Sequence, residues 1–219
     1  VCPPFDHPDM LRRTALRGAA MGRVGPKAVD AEKVSQDLVR YFQRLQDPSA
    51  TTKIEVFGTN AIKTVVRSIL SAEADLNEEI SGRHPCRLAV TVRRIRDDTS
   101  EDEHSWPGFA LRIRCTTDLP PPIHGEIRVA HDTNVGKLAG TIARRLREKN
   151  VALVRGAGAV SLKRQLRGIA IASGYLEERD ELVNQELATL LRLEDGEENG
   201  YKITQNLLTV YKVPATDSD

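Results

Sequence analysis

Aromatic residues are scarce in this 219-residue chain: one Trp, four Tyr and four Phe, or 4% of the sequence. A core must therefore be built from Leu, Ile, Val and Ala. Little aromatic surface remains for stacking bases, which weighs against recognition sheets that work by stacking. Cysteine is also rare. Cys2, Cys86 and Cys115 form no CxxC pair and are odd in number, so they read as thiols in a reducing, intracellular compartment. No run approaches the roughly 18 apolar residues needed to cross a membrane, so no membrane partner is expected. His7, His84, His104, His124 and His131 are scattered without HxxxH or HExxH spacing. Neither a GxxxxGK(S/T) loop nor a GxSxG elbow occurs. The expectation is a non-enzymatic protein with no catalytic residue, no metal and no cofactor.

What is present is an ordinary globular composition, 40% hydrophobic and 29% charged. A chain of this length suits two domains of roughly 100 residues each. Three consecutive prolines, Pro120–Pro122, favour an extended spacer and cannot continue a helix. They divide the chain into a first unit (1–118), a Pro-rich linker (119–124) and a second unit (125–219). Val1 in place of Met admits a removed targeting peptide, and an organelle with it, the mitochondrion favoured over the cytoplasm.

Both units show the order β-α-β-α-β-β. In the second, Glu126–Ala130 alternates as a short strand. Asp132, Thr133 and Asn134 offer caps for a helix carrying Val135, Leu138, Ile142 and Leu146, which ends at Asn150. Val151–Val154 is a buried-strand run, and Gly156–Ala159 turns the chain into a helix with Leu162, Leu166 and Ile169 on one face. Two β-rich stretches follow, Glu181–Leu193 and Tyr201–Val213, joined by a turn signal at Asp195–Gly200.

The first unit repeats the order. Leu11–Arg17 is a weakly signalled strand, and Asp30 caps a helix with Val34, Leu38, Phe42 and Leu45. Lys53–Phe57 is a strand and Gly58–Asn60 a turn, followed by a helix with Ile62, Val65, Val66 and Ile69. Cys86–Ile95 and Phe109–Cys115 form a hairpin around the acidic loop Asp97–His104. Placing Gly58 on Gly158 aligns Lys63 with Lys163, Arg67 with Arg167, Ile69 with Ile169 and Ala72 with Ala172, at a constant spacing of 100. Apolar positions match in any two amphipathic helices; Gly, Lys and Arg in one register point to duplication.

The stretches Ile127–Ala130, Asn134–Gly140 and above all Gly156–Leu176 resemble the bacterial stage V sporulation protein S (SpoVS) family, in which a GAGAL turn leads into a helix ending in AIA-x-G-(F/Y). Here the turn is two residues longer, with Val160-Ser161-Leu162 where the family has one Leu. The resemblance spans 125–213 and reaches 28–117 only weakly, through the internal repeat. It implies an α/β fold (an α+β sandwich) of two tandem Alba-like units forming a pseudo-dimer within one chain. Alba-like domains pair and bind DNA or RNA, though a fold alone does not establish a function.

The Gly turn at 156–159 invites a dinucleotide reading, with Glu177 or Glu178 at the expected distance. Ser161 fills the third small position, however, and the acidic pair follows a helix exit, so a tight turn is the better reading. Charge says more. Gly125–Arg167 holds ten Lys or Arg against three Asp or Glu, and Gly168–Asp219 holds four against eleven. Arg144, Arg145, Arg147 and Lys149 crowd the end of one helix; Arg155, Lys163, Arg164 and Arg167 gather around Gly156 and Gly158. With Lys63 and Arg67 of the first unit, these are the candidate phosphate contacts. Arg93, Arg94, Arg96, Arg112 and Arg114 either grip RNA or pair with the acidic loop. The expected partners are RNA, with DNA possible, and the protein subunits of a ribonucleoprotein such as an organellar ribosome. The alternative is a regulatory or protein-interaction module that kept the fold and binds no nucleic acid.

Overall fold

A computed structural model describes residues 20–24, 30–45, 50–79, 86–95, 108–117, 120–123, 125–198 and 201–215. The first half comprises β1 (Ala20–Val24), α1 (Ala31–Leu45), β2 (Thr51–Phe57), α2 (Thr59–Glu79), β3 (Arg87–Arg94) and β4 (Gly108–Thr116). The second comprises β5 (Glu126–Val129), α3 (Val135–Lys149), β6 (Val151–Ala157), α4 (Gly158–Glu177), β7 (Gln185–Glu198) and β8 (Tyr201–Pro214). This is the expected mixed architecture of Alba type, with the β-α-β-α-β-β order in each half.

Several local expectations hold for identifiable reasons. Asp30 Oδ1 accepts from the amides of Glu32 and Lys33 at 3.1 and 3.2 Å, which fixes the start of α1. Asn134 caps α3 by accepting from the Lys137 amide at 2.9 Å. Asn150 ends α3 in the left-handed region at φ 58°, and its N–H returns to the Leu146 carbonyl. Other expectations shift. The first strand described is β1, while Leu11–Arg17 and the acidic loop 97–104 lie outside the described residues. The Asp195–Gly200 turn signal is mostly strand: β7 continues to Glu198, which pairs with Tyr201, and Asp195 pairs with Thr204. Ladder pairing satisfies the backbone of this arm whatever the polarity of its side chains.

All eight strands form one sheet in the order β1-β2-β4-β3-β7-β8-β6-β5. Each half is thus a four-stranded sheet with one parallel pair at its outer edge, β1–β2 or β5–β6. The halves meet where β3 runs antiparallel to β7, with Ala89 opposite Leu190 and Val90 opposite Thr189. Arg114 of β4 lies between Thr51 and Ala89, and Tyr211 of β8 lies between Val151 and Ala188. Ala89 and Ala188 are therefore equivalent, as are Val90 and Thr189, so a pseudo-twofold axis passes through the Val90–Thr189 pair.

The helices share one apolar core with one face of the sheet. Leu38, Ile69, Ile113, Ile142, Ile169 and Val210 belong to the same buried cluster, so α1, α2, α3 and α4 cover both halves continuously. Alternate strand residues form the opposite face, where Ala89, Val151, Ala188, Leu190, Tyr211 and Val213 pack with Ile123 of the proline-rich segment. On that face Glu186 of β7 is 3% exposed and pairs with Arg112 and, at 3.5 Å, with Arg114 of β4. These two arginines, candidates for gripping RNA, instead join the halves.

The cysteines require a correction. Cys86 and Cys115 form a disulfide, with Cα atoms 6.0 Å apart. Cys115 stands opposite Leu88, which brings Cys86, two residues earlier, within bridging range. Neighbouring strands created a proximity that a 29-residue sequence separation concealed. The expected reducing compartment loses the support it drew from free thiols. Asn77 fixes Cys86 further by donating to its carbonyl at 2.9 Å and accepting from its amide at 2.8 Å.

Candidate functional site

Two glycine turns position the site. Gly58 and Gly158 adopt φ 89° and 78°, in the left-handed region, at the starts of α2 and α4. An L side chain is strained in that conformation. Gly156 is needed for closeness: a Cβ there would collide with Ser161 Oγ and stand 2.8 Å from the Val129 carbonyl oxygen. Ser161 donates to that carbonyl at 2.8 Å, and the buried Gln165 donates to the carbonyls of Val154 and Asn206 at 3.3 Å each. Protein side chains thus occupy the space over Gly156, as the tight-turn reading requires.

The basic residues expected to form one patch divide into two groups. α3 ends where β6 begins, whereas α4 starts where β6 ends. The seven residues of β6 separate these ends by about 20 Å. At the α3 end, Arg147 is held bidentate by Glu181, both contacts being 2.8 Å. That pairing lowers the Glu181 pKa, with Lys212 and Arg179 adding to it against some desolvation. Arg145 lies over Gly125, while Arg144 and Lys149 are exposed.

Near α4, several cations serve the fold. Arg155 pairs with Glu126 at 2.6 Å and Glu194 at 3.5 Å, and donates to Gln205 at 2.5 Å. Arg164 donates to the Thr133 carbonyl at 2.8 Å. Arg167 lies beside Arg94 of β3 and Arg164; burial first, and then these two like charges, lower its pKa. Lys163 is half-buried on the same helix.

The cations at the Gly158 turn come from the other half. A cavity of about 350 Å³ is lined by Lys63, Val66 and Arg67 of α2, by Ala157, Gly158 and Leu162, and by Leu193, Ile203, Thr204 and Asn206 of the β7–β8 hairpin. Lys63 and Arg67 are exposed, and among the described residues neither has an ion-pair partner. Ala157 provides no side-chain cap to α4, and Asn206 donates to the Gly158 carbonyl at 3.0 Å. Sequence comparison had made Lys63 and Arg67 equivalents of Lys163 and Arg167; it could not reveal that they cross the seam to the opposite turn. The pairing of β3 with β7 was the missing information.

Residues 125–185 match the family described as stage V sporulation protein S (SpoVS). The second half of the chain carries a SpoVS-like domain. The SpoVS match runs from the Gly125 turn through α4 to the first residue of β7. It leaves out the rest of the β7–β8 hairpin and the whole first half, whose likeness to the second rests on topology and register. Two curated relatives, annotated in their names as "ATP synthase subunit b-delta" of Mycobacterium sp. strains KMS and JLS, are each 32% identical over 128 residues. The aligned part is 55% of this chain and 28% of each relative. This chain thus spans little more than a quarter of the curated relatives it matches. Among the described residues, no helix is long and apolar enough to cross a membrane, and no three His, Cys, Asp or Glu residues cluster as metal ligands would.

Proposed function

We propose that this protein is a non-catalytic RNA-binding subunit of a ribonucleoprotein, such as an organellar (mitochondrial) ribosome, that grips the phosphate backbone from the helix side of its fused sheet. The supporting observation is the inter-unit seam. Lys63 and Arg67 approach the Gly158 turn there, and Arg94, Arg164 and Arg167 lie together between β3 and α4. Phosphates neutralise such a concentration of cations, and backbone contacts need no aromatic platform. Arg147 and Arg155 contribute least to this reading, since carboxylates already hold them.

A second reading has its own support: the SpoVS match fits a regulatory protein-interaction module without a nucleic-acid ligand. Affinity for single-stranded RNA measured across a salt series separates the two. Phosphate binding through about four cations gives a log–log slope near −3. Affinity that is absent, or flat with salt, removes the RNA reading and leaves the interaction module. Sedimentation of the native protein with ribosomal particles tests the assembly.

A further inference from the structure

The cavity at the Gly158 turn is shaped for more than a passing backbone. A strand running over a surface needs an open track of cations. Here Lys63 and Arg67 stand at a recess walled by Val66, Leu162, Leu193 and Ile203. Its volume of about 350 Å³ falls within the range of small-molecule sites. Its lining includes two cations and no carboxylate, which favours a compact anion. The Thr204 hydroxyl and the uncapped start of α4 add hydrogen-bond donors on the same side.

The pseudo-twofold relation makes this recess particular to one end of the molecule. Since Ala89 corresponds to Ala188, Arg94 occupies the position equivalent to Leu193. In the related cleft, Lys163 and Arg167 therefore face an added cation where Lys63 and Arg67 face an aliphatic wall. Only the Gly158 recess combines paired cations with an apolar lining among the cavities found in the described residues.

We infer that this recess binds a terminal phosphomonoester of nucleotide size. The phosphate sits at Lys63 and Arg67, and the body of the ligand lies against the aliphatic wall. A free nucleoside monophosphate and the 5′-phosphorylated end of an RNA strand both offer that chemistry. Binding at this recess does not depend on the backbone reading above.

The test titrates the full chain with AMP, adenosine, and short RNAs bearing either a 5′-phosphate or a 5′-hydroxyl, by calorimetry and amide NMR shifts. AMP is expected to bind and to move the amides around Gly158 and Lys63, with adenosine at least about tenfold weaker. Lys63→Gln/Arg67→Gln should weaken AMP by a similar factor, whereas Arg144→Gln/Lys149→Gln should leave it unchanged. Leu193→Trp fills the recess while keeping both cations, and should abolish AMP binding without weakening 5′-hydroxyl RNA. A preference for 5′-phosphate over 5′-hydroxyl RNA that exceeds AMP binding identifies the strand end as the source; the reverse identifies the free nucleotide. No AMP binding, AMP bound no better than adenosine, or binding insensitive to both the cation and Leu193 variants overturns the proposal. The 5′-hydroxyl RNA reports on the backbone reading separately.

Discussion

The two halves follow one path but carry different chemistry at equivalent points. Gly58 and Gly158 share a left-handed conformation, and Ile69 and Ile169 are both buried. Where the second half has Leu193, the first has Arg94; where the first has Arg112 and Arg114 tied to Glu186, the second has Thr209 and Tyr211. Duplication preserved what the backbone and the shared core demand and released the residues around the seam. The fused molecule therefore has two related clefts that need not bind the same thing.

The largest effects should come from the core. Ile69→Ala and Ile169→Ala should each cost about 2–5 kcal/mol and shift a single denaturant transition, because both residues belong to one cluster. Two separated transitions would mean that the halves unfold independently. Glu186→Gln should cost about 3 kcal/mol by leaving Arg112 and Arg114 without their carboxylate, and thermal melts measure the loss. A value near zero would show that strand pairing alone joins the halves.

Smaller effects test the equivalence of the turns. Gly58→Ala and Gly158→Ala should each destabilise by about 1–2 kcal/mol. At Gly158 the added methyl meets open space, so its cost isolates backbone strain. Markedly unequal costs would argue that one turn has relaxed away from the shared geometry. The smallest effect is the acid dependence of the Arg147–Glu181 pair. The folded-state pKa of Glu181 is lowered, so its contribution is present above the ordinary carboxylate range and is lost as pH falls through the folded value. The stability difference between the protein and Glu181→Gln should shrink on acidification and stay constant near neutrality.

Much of this fold was legible in the sequence because helical periodicity, caps and glycine turns act locally. Asp30, Asn134 and Asn150 carry their structural roles in their own side chains or φ angles. The SpoVS resemblance was legible for the same reason, concentrated as it is in one strand-turn-helix. The site was only half legible. Lys63, Arg67, Lys163 and Arg167 stood out through the repeat, but side-chain identity does not encode which turn a cation reaches across an intramolecular seam. The ion pairs of Arg147 with Glu181, Arg112 with Glu186, and Arg155 with Glu194 join residues 34 to 74 positions apart or strands separated by a helix. The disulfide was hidden likewise, since it depends on strand register.

The most direct measurement compares Lys63→Glu/Arg67→Glu with Lys163→Glu/Arg167→Glu for affinity to 5′-hydroxyl single-stranded RNA at fixed low salt. If cations at the inter-unit seam hold the phosphate backbone, each pair should reduce affinity by about tenfold or more, and each should flatten the salt dependence. Unchanged affinity and slope in both folded variants would contradict the account and leave the SpoVS-like unit as a protein-interaction module.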